Sequence, residues 1–154
     1  MPTTKTHYIP AGYHSVTPYI IVRNAARALD WYKSMFGAQE EFRFPTLDGK
    51  IGHAEIKIGD SHIMLADEFP EMHAVSPETI GGTASAIMIY VPDADHVFHT
   101  AVANGAKVKQ ELQDKFYGDR NATIYDPFGH QWTIATHVED VSSEEMQRRA
   151  SQQK

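Results

Sequence analysis

His53 and Glu55 stand two apart in Gly52-His-Ala-Glu-Ile-Lys-Ile58, a run whose alternation reads as a β-strand. Side chains two apart on a strand share a face, so an imidazole and a carboxylate would lie side by side. Such a pair can serve as a general acid and base, with burial raising the carboxyl pKa. It can also offer two ligands to a metal ion. The third reading is structural, with hydrogen bonds to neighbouring strands or pairing with Lys57 and Arg43. Arg120 follows Gly118-Asp119 at the start of a late strand. Its planar fork suits a ligand carboxylate or phosphate, unless Asp119 or Asp126 holds it. Asp67, Glu68 and Glu71 form an acidic group that could attract a cation or serve solubility alone. The remaining histidines are scattered, and no His-x-x-x-His or His-Glu-x-x-His pattern occurs.

The elements that must position these groups occur twice. Thr17-Pro-Tyr-Ile-Ile-Val22 reads as a strand, followed by a helical run over about 24–36 with an apolar stripe at Ala25, Ala28, Leu29, Tyr32 and Phe36. Asn24 is its N-cap and Gly37 its left-handed stop. Ala86-Ile-Met-Ile-Tyr-Val91 repeats the strand 69 residues later. A second stripe follows at Ala94, Val97, Phe98, Ala101 and Val102, stopped at Gly105. In the first half strands are expected at 40–44, 52–58 and 61–66. Gly59-Asp60 makes the last two a hairpin, placing Glu55 opposite Met64 and Ile56 opposite Ile63. One face then carries Ala54, Ile56, Ile63 and Leu65, and the other His53, Glu55, Lys57, His62 and Met64. In the second half, the turn at Asp126-Pro-Phe-Gly129 sets Ile124 against Trp132 and Thr123 against Thr133. A one-residue slip would mix the faces. Trp132 is expected in the core under the second helix. Residues 67–84 are Pro- and Gly-containing and read as a long loop, either a lid or a connector. Ser142 and Glu145 signal a last helix with a capping box.

Composition narrows the function classes. The chain has 154 residues, a formal net charge of −6 and no cysteine. Disulfides, thiolate nucleophiles and Cys-based zinc sites are excluded, and the acidic balance without a basic stripe argues against nucleic acid. No apolar run approaches the ~20 residues of a membrane span, and no signal-peptide pattern opens the chain, so a cytoplasmic protein is expected. Each half alone would have a marginal core.

The repeated strand–helix–three-strand unit resembles the vicinal oxygen chelate superfamily of glyoxalase I, extradiol dioxygenases, fosfomycin-resistance enzymes and bleomycin-resistance proteins. His14-Ser-Val-Thr-Pro-Tyr19, His53-Ala-Glu55, Tyr117-Gly-Asp-Arg120 and Asp126-Pro-Phe-Gly-His-Gln-Trp132 are similar to its PhnB-like branch. The resemblance covers about residues 14–138. It implies an α+β fold: two βαβββ units forming a curled mixed sheet around a concave cavity, within one glyoxalase-like domain over 1–154. The first unit would take 14–67, a connecting loop 68–84, the second unit 85–138 and a C-terminal helix 141–154. A homodimer is implied, with the units paired within or across chains. Metal-dependent relatives hold one divalent ion at places that correspond here to Thr17, Met64, Ala86 and Thr133. Two hydroxyls, a thioether and an alanine are poor donors for such an ion, so no cofactor is expected and a divalent metal is disfavoured. Thr17, Tyr19, Phe44, Met64, Met88, Tyr90, Arg120, Tyr125 and Thr133 are the expected ligand-binding residues, around a small, partly apolar or aromatic molecule. The alternative is a lyase, isomerase or dioxygenase with His53 and Glu55 as catalytic pair or metal ligands. A regulatory or interaction module is a third possibility.

Overall fold

The structure, a computed structural model, describes residues 5–153. These residues divide into two compact units, one ending at Ser76 and the other beginning at Pro77. The first contains β1 (Tyr19–Val22), α1 (Ala25–Phe36), β2 (Gln39–Pro45), β3 (Ile51–Ile58) and β4 (Ser61–Asp67). Its sheet runs β1-β4-β3-β2. β1 is parallel to β4 and the other pairs are antiparallel. The parallel pairing requires a crossover, and α1 supplies it. Asn24 Oδ1 accepts the Arg27 N–H, and Gly37 closes the helix at φ 66°, where a side chain would be strained. The expected stripe is buried, and Trp31 joins it, edge-on to Phe36 with ring centroids 5.4 Å apart. Ile20, Val22, Ala54, Ile56, Ile63 and Leu65 form the opposing buried face. The β3–β4 register is the one read from Gly59-Asp60.

The stretch expected as a long loop carries a 3₁₀ turn at Pro70–Met72 and a short helix, α2 (Pro77–Ile80). The second unit continues with β5 (Ala86–Tyr90), α3 (Ala94–Ala103), β6 (Lys107–Asp114), β7 (Asp119–Tyr125), β8 (Gln131–His137) and α4 (Ser143–Ser151). Its sheet runs β5-β8-β7-β6, again with the first pair parallel. The β7–β8 register pairs Ile124 with Trp132, Ala122 with Ile134 and Thr123 with Thr133. In α3, Ala94, Phe98 and Ala101 are buried while Val102 is exposed. α4 is capped by Ser142, which accepts the Glu145 N–H. The Glu145 carboxylate turns along the helix to Arg148 and Arg149.

One device recurs in both units. The last strand sends a side chain to the first amide of the crossover helix: Asp67 Oδ1 accepts from Ala25 N–H at 2.8 Å, and Thr136 Oγ1 accepts from Ala94 N–H at 2.9 Å. Asp67 also accepts from Ile51 N–H at 2.7 Å. The acidic group considered as a cation attractor is therefore largely structural. Asp67 is buried, and Glu68 accepts the Ser76 N–H.

Asp126 organises the late turn. Its carboxylate accepts from the amides of Phe128 (2.9 Å) and His130 (3.0 Å) and from Trp132 Nε1 (2.8 Å). Trp132 is thereby fixed in the core. Asp126→Ala would strand these buried donors, and each unmet donor costs about 1–3 kcal/mol. Denaturant unfolding is expected to show a loss of about 2–4 kcal/mol, and a loss below about 1 kcal/mol would contradict this role.

Candidate functional site

The sheet face of the first unit turned away from α1 gathers chemistry from several elements. The registers put Tyr19 beside Met64, Met64 beside Glu55, Phe42 beside Glu55 and Phe44 beside His53. Glu41 lies at a register shift in β2 between Glu40 and Phe42. Tyr19 Oη lies 2.8 Å from His53 Nδ1, and His53 Nε2 lies 3.3 Å from Glu55 Oε2. The other Glu55 oxygen accepts from the Tyr13 hydroxyl. A carboxylate only accepts, so the Glu55 contact calls for a proton on Nε2, and in the Nε2-protonated neutral tautomer Nδ1 accepts from Tyr19. The four side chains form one directed chain, Tyr19 to His53 to Glu55, with Tyr13 meeting it at the far oxygen. Phe42 and Phe44 flank His53 with ring centroids at 5.9 and 6.4 Å.

Glu55 is buried, its side chain only 8% exposed. Burial, followed by the hydrogen bond to Glu55 and the charges of Glu55 and Glu41, pushes the Tyr13 phenol up to about 12. Burial and the Glu55 charge also raise Tyr19. Both phenols stay protonated donors at neutral pH. Tyr13 further stacks on His62, with ring centroids 3.9 Å apart and planes at 17°. His62 Nε2 is 3.6 Å from Glu41. Its Nδ1 is buried with no hydrogen-bond partner among the described residues, a condition that costs about 1–3 kcal/mol.

The expected site residues do not all join this cluster. Tyr19, Phe44, His53, Glu55 and Met64 do. Glu55 is held by Tyr13 and His53 rather than by Lys57 or Arg43, and Arg43 is taken by Glu40. Thr17 precedes β1. In the second unit, Met88 pairs with Thr133, which pairs with Thr123 at 3.1 Å between hydroxyls. Tyr125 pairs with Gln131, and Lys109 Nζ stands 5.7 Å from the Tyr125 ring centroid. Arg120 stands on the α3 side. It donates to both oxygens of Asp95, at 2.7 and 2.9 Å, and to Asp114 at 3.3 Å. Asp95 and Asp114 take the place considered for Asp119 or Asp126. The parity of β7 carries this information, because Arg120 is two residues before buried Ala122. Tyr13 and His62 were not among the expected site residues. Tyr13 lies outside the repeat, and no periodicity could mark it.

A second polar network lies in the other unit. Asp119 accepts from Tyr90 Oη at 2.8 Å and faces His137 Nδ1 at 2.8 Å, while His137 Nε2 faces Asp140 at 2.8 Å. Hydrogen bonds to Asp119 and then Asp140 raise the His137 pKa above its ordinary 6.5.

The donor chemistry of the four residues that the resemblance sets at metal positions can be taken residue by residue. Ala86 has no donor atom, Met64 has a thioether, and Thr133 and Thr17 have neutral hydroxyls. Thr133 already shares its hydroxyl with Thr123. None of these side chains suits a hard or borderline divalent ion. Among the described residues no three His, Asp or Glu side chains converge as a metal cluster, and no helix is long and apolar enough to cross a membrane.

Comparison with known proteins adds a lineage. The Glyoxalase/Bleomycin resistance protein/Dioxygenase superfamily matches residues 12–134. An uncharacterized protein of Mycobacterium bovis, Mb0911c, is 37% identical over 142 residues, covering 90% of this chain and 93% of its own. The crystal structure of TioX from Micromonospora sp. ML1 superposes with a TM-score of 0.63 at 29% identity, covering 81% of this chain and 99% of TioX. The PhnB protein of Bacillus cereus matches with a TM-score of 0.62 at 16% identity, over 80% of this chain and 99% of its own. At that identity the likeness to the PhnB protein concerns the fold.

The His137 network makes a prediction with a definite sign. A histidine whose folded pKa is raised contributes stability that is fully present below its unfolded pKa and fades as pH rises through the folded one. The melting-temperature advantage of the wild type over His137→Gln is expected to be larger near pH ~6 than near pH ~9. An advantage that grows with pH would contradict the assignment.

Proposed function

Because the chain belongs to the glyoxalase/bleomycin resistance protein/dioxygenase superfamily, we propose that it binds a small, partly apolar or aromatic molecule on the open sheet face of its first unit, without the family metal. The observation that carries this reading is the composition of that face. A buried carboxylate and an imidazole sit among Tyr19, Phe42, Phe44 and Met64, an apolar surround with a few fixed polar groups of the kind small-molecule sites use. Tyr19 and Phe44 are 49% and 62% exposed, so their rings are available for contact. The poor donors at Thr17, Met64, Ala86 and Thr133 support the metal-free part. Assembly as a homodimer in the cytoplasm belongs to the same reading, supported by the small core of each half.

A second reading has one specific observation behind it. The Tyr19–His53–Glu55 chain resembles a proton relay, in which a carboxylate orients an imidazole that can take a proton from a hydroxyl. It would suit proton transfer next to a carbonyl, as an isomerase or lyase requires. The raised phenols of Tyr13 and Tyr19 favour donation over base chemistry, so binding is placed first.

Elemental analysis of protein purified without chelator is expected to give far less than one divalent ion per chain, and nickel, zinc, manganese and iron are expected to leave the melting temperature unchanged. A stoichiometric ion that disappears in Glu55→Ala would overturn the metal-free reading. Deuterium exchange at the benzylic carbon of phenylpyruvate separates the two functions. Exchange above the buffer rate that is lost in His53→Gln would establish the relay over simple binding.

A further inference from the structure

The described backbone from Lys5 to Pro18 forms neither helix nor strand. Near its middle, Pro10 to Tyr13 make a turn closed by the Tyr13 N–H and the Pro10 carbonyl at 3.1 Å. Gly12 within it takes φ 83°, and a Cβ built there would lie 3.8 Å from the His62 ring. The turn delivers one ring to the sheet. Tyr13 lies flat on His62 and donates its hydroxyl to Glu55. Neighbouring residues of this arm are exposed, with Tyr8 and Val16 at 86% and 84%.

A phenol supplied by the chain thus occupies the polar centre of the candidate site, and its two contacts are those a free ligand would use. The face of an imidazole accepts any planar ring. The buried carboxylate has an oxygen beyond the one facing His53 that can accept a hydroxyl or N–H. His62 Nδ1 is buried without a hydrogen-bond partner among the described residues, so stacking is the ring contact through which His62 meets the arm.

We propose that Tyr13 is a displaceable internal ligand, and that the molecule replacing it is a planar aromatic carrying a hydroxyl that stacks on His62 and donates to Glu55. This rests on the binding reading above and narrows it to a ligand class. The free ligand competes with the arm, so its apparent affinity is reduced by the fraction of time the arm is away. Removing the Tyr13 side chain removes the competitor. A ligand lacking the hydroxyl leaves the Glu55 oxygen that Tyr13 had met without a donor and binds more weakly.

Isothermal calorimetry with 2-naphthol and 2-methoxynaphthalene tests this on the full chain, comparing wild type with Tyr13→Ala, Tyr13→Phe and Glu55→Gln. Tyr13→Ala is expected to bind 2-naphthol about tenfold more tightly than wild type, as for a site open about one-tenth of the time. Tyr13→Phe, which keeps the ring but loses its donor, should also tighten binding and serves if the alanine variant does not fold. In both, 2-naphthol should outbind 2-methoxynaphthalene, and Glu55→Gln should narrow that preference. Equal 2-naphthol affinity in wild type and both Tyr13 variants would overturn the displacement while leaving aromatic binding intact. Equal affinity for the two naphthalenes would overturn the ligand class. No binding of either compound by any protein would overturn this proposal together with the binding reading.

Discussion

A carboxylate buried on a sheet face must have its oxygens met by donors, and the first unit is arranged around that requirement at Glu55. One oxygen takes the Tyr13 hydroxyl and the other faces His53 Nε2. Fixing Nε2 as a donor leaves Nδ1 to accept from Tyr19. A single burial thus sets the position of the N-terminal arm, the tautomer of an imidazole and the direction of a second phenol. The aromatic residues around it keep the carboxylate out of water, and that low-dielectric setting strengthens each hydrogen bond it accepts.

The duplication clarifies which features serve the fold and which serve a site. Asp67 and Thr136 occupy corresponding places and perform the same task, capping the crossover helix. Asn24 and Asp93 cap the same helix N-termini at later amides. These are demands of the βαβββ unit, met twice with different side chains. The register places Asn121 and Thr123 on β7 where His53 and Glu55 stand on β3. The architecture is shared by both halves, while at these two positions an imidazole and a carboxylate stand in the first half and an amide and a hydroxyl in the second. Since the fold does not need the pair, a site is the more economical account of it.

Much of the scaffold was legible because short-range chemistry determines it. Gly59-Asp60 and Asp126-Pro-Phe-Gly129 set both hairpin registers, and with them the faces of His53, Glu55, Thr123 and Thr133. Asn24, Gly37 and Ser142 marked helix ends by the hydrogen bonds they can make. The site was legible only in part. Tyr13 reaches Glu55 from a stretch with no periodic pattern, so tertiary contact alone reveals it. Arg120 had a readable sign in its parity with Ala122, but its partners Asp95 and Asp114 come from α3 and β6. Asp67 read as surface charge because nothing local showed that it caps a distant helix.

The candidate site depends on the direction of the hydrogen bonds through His53. Long-range proton–nitrogen NMR correlation on the His53 ring tests it most directly, because the two neutral tautomers give different coupling patterns. The expected result is a ring protonated at Nε2, with Nδ1 showing the shift of an acceptor. A ring protonated at Nδ1 would contradict it, since Tyr19 would then have no acceptor there and the imidazole would have no proton to give Glu55.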